Sequence, residues 1–252
     1  MTGLLRLMRS ELLRMRRTAL LAVHLIVPGA GAAVFLWYFS ISGWDSTAKA
    51  QAYLQVVACV WPFLCGTVCG MSEEMEADIG WQNFFMLPGR RFQALLAKWW
   101  TLMLMGLGAC LMAVMGFALV YRHFPGGTVY SLTVYLEAAL VIWLGQAAVY
   151  LLHLVLALGL GKSASIGVGI AGTLLAFLML TGLGDGIWMV FPWAQSCRIG
   201  SYLLFYTQKE NQGMELNPAI AGELGICLAV WIAVMAAAFW WFSHYEGRRS
   251  QE

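Results

Sequence analysis

The stretch Trp99–Tyr121, WWTLMLMGLGACLMAVMGFALVY, runs for 23 residues without one charged side chain. A helix of that length rises about 35 Å at 1.5 Å per residue, enough to cross the hydrocarbon layer of a bilayer. Comparable apolar runs recur at 19–40, 54–71, 131–158, 165–183 and 219–243. The expected fold is an all-α, polytopic membrane helix bundle of six transmembrane helices, forming a single domain over residues 1–252. Composition argues the same way. With 61% hydrophobic and 11% charged residues, the chain has too few charges to cover a water-soluble protein of 252 residues.

Residues 3–18 precede the first span. At 100° per residue Leu4, Leu5, Leu7, Met8, Leu12 and Met15 share one face, and Arg6, Arg9, Arg14, Arg16 and Arg17 the other; Glu11 and Leu13 are the exceptions. This pattern predicts an amphipathic helix lying in the headgroup layer. A cleaved signal peptide is disfavoured, because the apolar run continues through Val34-Phe35-Leu36-Trp37-Tyr38-Phe39 and further spans follow. With the N-terminus inside, eleven Lys and Arg fall on the inner side and four (Lys49, Arg122, Arg198 and Lys209) on the outer side. That bias predicts a multi-pass protein of the bacterial cytoplasmic membrane with both termini in the cytoplasm. The ring pairs Trp37-Tyr38, Trp99-Trp100 and Trp240-Trp241 sit where interfacial belts are expected.

Small residues cluster in two spans: Gly106, Gly108, Ala109 and Ala113, then Gly167, Gly169, Ala171, Gly172 and Thr173. They allow close helix contact, within one bundle or between two copies. The six cysteines show no disulfide framework, and no internal repeat of the inverted-transporter kind is present.

Two segments between spans stand out. Over residues 72–90, Ser72 is placed to cap a short helix whose first turns carry Glu73, Glu74, Glu76 and Asp78. Gln82, Phe84 and Phe85 follow, Pro88-Gly89 ends the element, and Arg90 and Arg91 hold the chain at the inner surface. Such a helix either docks on another protein or simply joins two spans. Over 184–218, two apolar pieces, one holding Trp188, Pro192 and Trp193 and the other Tyr202 to Tyr206, are each too short to cross alone. A re-entrant or interfacial helical pair is expected, with a seventh span as the rival.

Within the spans, Glu137, Gln146, His153 and Glu223 break the apolar pattern. Gln146 and His153, seven apart, share a helix face and suit a cavity lining or interhelical hydrogen bonds. The chain has no phosphate loop, no HExxH, no GxSxG and no Cys/His cluster, so neither catalysis nor a bound metal or cofactor is expected. Any ATP energy has to come from a partner. The basic N-terminus lacks interleaved aromatics, so nucleic-acid binding is not expected.

The run Glu73 to Arg91, followed by Ala97-Lys98-Trp99, resembles the first cytoplasmic loop of bacterial lantibiotic-protection ABC transporter permeases, a branch of the ABC-2 type. Glu76, Gly80, Gln82, Pro88, Arg91 and Lys98 match that pattern, with Phe85 in place of a leucine, and Phe191-Pro192-Trp193-Ala194 is similar to a Leu-Pro-Trp-Ala element before the last span. The resemblance implies the permease subunit of an exporter in which two permeases, identical or homologous, pair with two separate ATPases that bind ATP and magnesium. It further implies that 72–90 is the coupling helix and that the cargo is a cationic amphipathic peptide expelled from the membrane. On this reading the acids of 73–78 face basic residues of the ATPase, Phe84 and Phe85 anchor the contact, and Asp185, Glu210 and Glu215 attract the peptide. Export of another drug, a lipid or a polysaccharide is the nearest alternative, and a transport-independent membrane sensor or assembly protein the next.

Overall fold

The computed structural model describes residues 2–16, 18–78, 91–208, 214–215 and 217–245, the side chains of Thr2 and Arg91 excepted. Every regular element among them is helical. In chain order these are α1 (Thr2–Met15), α2 (Ala19–Ile41), α3 (Ser46–Ala77), α4 (Arg91–Tyr121), α5 (Leu132–Gly145), α6 (Ala147–Leu160), α7 (Lys162–Met179), 3-10 turns at Gly182–Gly184 and Trp188–Val190, α8 (Pro192–Thr207) and α9 (Pro218–Ser243). Six segments are long and apolar enough to cross a membrane: α2, α3, α4, the α5–α6 pair, α7 and α9. The protein is an all-α polytopic bundle.

Local chemistry sets the boundaries. The Thr18, Ser131 and Asn217 side chains accept from the first free amides of α2, α5 and α9. The Asp45 carboxylate does the same for α3, and the Ala48 and Thr47 amides hold it below the usual carboxylate range. A single residue, Gly161, turns the chain from α6 into α7 at φ +95°, where a side chain would be strained. At the opposite end of the bundle Lys49 Nζ donates to the Phe39 and Ser42 carbonyls (3.0 and 2.7 Å), satisfying the last turn of α2.

The α1 end of the bundle gathers the end of α3, the start of α4, the α6–α7 turn and the end of α9, whose neighbour Tyr245 donates to Leu158 O at 2.7 Å. The far end holds the α2–α3 and α4–α5 connections, Met179 and the end of α8. The most extensive helix contact is α3 on α7. A Cβ on Gly66 would stand 2.5 Å from Ser165 O, and one on Gly169 2.9 Å from Pro62 O, so these glycines set how closely the two helices approach. Gly172 similarly faces the Trp193 ring, whereas Gly108 and Gly167 meet open space.

Three expectations change. Ser72 does not open a separate helix: α3 continues unbroken to Ala77, because Ser72 and Glu76 meet a lysine from α4 rather than free amides. Trp99 is no belt residue; it is buried and its indole N–H donates to Ala147 O at 2.9 Å, while Trp37 and Trp240 stay exposed. The N-terminal helix turns Leu4, Leu7, Met8, Glu11, Arg14 and Met15 inward and leaves Leu5, Leu12 and Leu13 exposed. A helix resting on both protein and lipid needs two apolar faces, and the leucines at 12 and 13 serve the second.

The segment after α7 re-enters the bundle. Trp193 lies against Gly172, Cys197 against Ala176 O, and Arg198 against Met179 O, so α8 rises parallel to α7. Its start is therefore about 10 Å deeper than the end of α7, at 1.5 Å per residue over seven residues. Its far end meets the far-end residues Tyr130 and Gln55 through Gln208 and Ser201.

Candidate functional site: an ionic ring and a mid-bundle polar node

At the α1 end four charged side chains from three helices close into a ring. Lys98 of α4 is fully buried; its Nζ lies 2.8 Å from Glu76 Oε1 of α3 and 2.9 Å from Glu11 Oε2 of α1, and donates to Ser72 Oγ at 3.1 Å. Arg14 lies 2.8 Å from the same Glu76 oxygen and 3.0 Å from Glu11. Two cations and two carboxylates cancel, which makes burial of so much charge tolerable. The ring binds α1 to the two helices that flank residues 79–90. A shift of the α3 end against the α4 start has to carry α1 with it or break the ring.

Of the residues assigned to ATPase coupling, Glu73 and Glu76 are buried, and Glu76 is committed to Lys98 and Arg14, so its charge is not presented to a partner as expected. Glu74 and Asp78 are exposed, and Glu74 pairs with Lys162 at 2.6 Å. Gln82, Phe84, Phe85, Arg90 and the Arg91 side chain lie outside the described residues.

The second cluster lies midway through the bundle, where three helices are irregular together. Pro62, near the centre of α3, has no N–H to give the Ala58 carbonyl. Gln146, at the break between α5 and α6, supplies the missing donor: its Nε2 reaches Ala58 O at 3.4 Å and Ser196 Oγ of α8 at 2.6 Å. The Phe63 amide, next in α3, donates to Thr173 Oγ1 of α7 at 3.2 Å. One turn away, His153 Nδ1 is 3.3 Å from Ser165 Oγ, and the Trp193 indole donates to His153 Nε2 at 3.2 Å. That last bond makes Nε2 the acceptor, so the ring is the neutral tautomer with its proton on Nδ1. Gln146 and His153 thus both face α8, three residues apart along it at Ser196 and Trp193.

The remaining polar candidates do not converge. Glu137 is exposed on α5, and Glu223, half-buried on α9, accepts from the Tyr202 hydroxyl at 2.8 Å. Asp185 pairs with Arg198 at 2.9 Å, so its charge is balanced within the chain rather than left for a cationic ligand. Trp188 is buried beside Tyr202, and Pro192 opens α8 at a position where no amide hydrogen is required. Sequence reading missed Glu11, Arg14, Ser196, Thr173 and the part played by Pro62. Glu11, the one acid on the apolar face of a basic helix, was the available signal for the ring.

Six spans, a re-entrant helix and polar groups that pair between helices define a multi-pass membrane protein. Residues 7–194, 188 of 252, match the family described as ABC-2 family transporter protein, and the chain belongs to that family. Membership makes it an ABC-2-type permease, the membrane component of a transporter that works with an ABC ATPase. No curated protein and no solved structure matches the chain.

Proposed function

We propose that the protein is the permease subunit of an ATP-driven exporter that removes lantibiotics or related cationic amphipathic peptides from the membrane of a bacterial cell. Its α1 end faces the cytoplasm, in keeping with the Lys and Arg concentrated there. Two permeases, identical or homologous, pair with two ATPases, and ATP with magnesium resides on the ATPases. The observation that carries the reading is the ring of Glu11, Arg14, Glu76 and Lys98, which links both flanks of residues 79–90 to α1.

Force applied to 79–90 by a docked ATPase reaches α3 and α4 directly, and the ring passes it to α1 in the headgroup layer. Asp78 is the exposed acid left to meet a basic ATPase surface, joined by Glu74 where that surface displaces Lys162 from it, with Phe84 and Phe85 as apolar anchors. The likeness of residues 73–91 and 191–194 to the lantibiotic-protection branch supports the cargo class. A peptide held in lipid reaches such a permease sideways, which suits a bundle packed by close helix contacts.

The test is co-purification from the native membrane in mild detergent, comparing the intact protein with Phe84→Asp plus Phe85→Asp at equal expression. Recovery of an ATPase with the first and its loss from the second is the expected result. An ATPase held by both rejects the contact at Phe84 and Phe85, and one held by neither favours a membrane sensor. The cargo is tested by survival of cells carrying the complete transporter on cationic lantibiotics against uncharged drugs. Equal protection against both sets rejects the peptide assignment.

A further inference from the structure

The far end of the bundle carries three described Lys or Arg side chains, and two are committed to helix ends. Lys49 donates to carbonyls at the end of α2, and Arg198 to Met179 O and Thr181 O at the end of α7. Arg122, just past α4, is exposed and makes no ion pair or side-chain hydrogen bond among the described residues. It borders a cavity of about 390 Å³ whose polar wall also includes Thr128, Tyr130, Ser131, Tyr135 and Thr207.

Three features give this cavity the chemistry of an anion site. Tyr135 is 98% buried, and its hydroxyl has no hydrogen-bond partner among the described residues, a costly state unless something else accepts from it. The Tyr130 oxygen accepts from Gln51 Nε2 (3.0 Å) and Gln208 Nε2 (3.4 Å), which leaves its own O–H to donate elsewhere. Ser131 caps α5, and the α5 residues Leu132 and Val134 line the wall, so the positive end of a 14-residue helix borders the same space. Among the described residues no acidic side chain lines it.

We propose that this cavity binds the phosphate of a phospholipid in the adjoining leaflet, with Arg122 as its counter-ion and the Tyr135 and Tyr130 hydroxyls as donors. Depth favours a lipid over free phosphate. The cavity lies between the end of α4 and the start of α5, where two candidate spans end, and the rest of its described wall is apolar, as at Ala118 and Val129. The proposal does not depend on the cargo or on the ATPase.

Native mass spectrometry of the detergent-purified protein tests it, with dihexanoyl phosphatidylglycerol as the probe. Loss of a charge-assisted contact predicts binding about tenfold or more weaker in Arg122→Gln, about threefold weaker in Tyr135→Phe, and largely retained in Arg122→Lys. The thermal midpoint of Arg122→Gln stays unchanged, because the Arg122 side chain makes no ion pair or hydrogen bond among the described residues. Equal lipid binding by Arg122→Gln and the intact protein overturns the proposal. So does displacement of the lipid by equimolar inorganic phosphate, which marks a free-anion site, or by N-acetylglycine, which marks a site for a peptide carboxylate.

Discussion

The ionic ring and the mid-bundle node solve the same problem with different materials. Both satisfy polar groups inside a bundle with an apolar exterior. The ring uses four full charges at the edge of the bundle; Arg14 and Glu11 keep side-chain exposures of 24% and 13%, while Lys98 and Glu76 give up theirs and rely on the ring itself. The node lies near the centre of α3 and at the α5–α6 break and uses an amide, a hydroxyl, a neutral imidazole and an indole, with no ionised group. Charge is affordable near the headgroups and costly at depth. Charges also hold over a range of geometries, whereas the node's bonds are directional, so the first suits a moving joint and the second a fixed register.

The comparison is broken most easily at Lys98. Lys98→Met strands Glu76 beside a single cation, and a loss of about 3–5 kcal/mol is expected for a buried pair with one partner removed. Thermal unfolding in detergent measures it, and Glu76→Leu added to Lys98→Met is expected to recover most of the loss. If Lys98→Met unfolds at the temperature of the intact protein, the ring carries no mechanical weight. A smaller effect belongs to the node: Gln146→Leu forfeits two interhelical bonds, worth about 1–2 kcal/mol in a membrane bundle. It also loosens α8, so cysteines placed at Gln55 and Ser201 are expected to cross-link more slowly than in the intact background. A Gln146→Leu loss as large as that of Lys98→Met would erase the distinction between the clusters. Smallest is Glu74→Gln, since the Glu74–Lys162 pair is 53% and 40% exposed. Less than about 1 kcal/mol is expected, and the difference should vanish at high salt.

The six spans were legible because hydrophobic length is a local property, and the ends of α2 and α9 fell within a residue or two of the apolar run. What could not be read was pairing. Ser72 followed by acids looks like a helix start when only neighbours in sequence are considered. Its true neighbour, Lys98, stands 26 positions away, and that contact carries α3 on for another turn and a half. Glu11 and Lys98 are 87 positions apart, so the ring was visible only as an acid out of place. Pro62 and Gln146 each look like a flaw in an apolar span. Together they are one repair, with the amide of one supplying what the ring of the other removes.

The shortness of α8 has a consequence for how the protein is made. Its 16 residues cannot enter lipid alone with Ser196 and Arg198 aboard, since the groups that receive them are Gln146 at the α5–α6 break and the Met179 carbonyl at the end of α7. A translocating channel therefore releases this stretch as a surface loop, and it slots into place only after the earlier helices have gathered. The re-entrant helix is thus set after the spans that precede it, and its seating depends on α5, α6 and α7 having come together first.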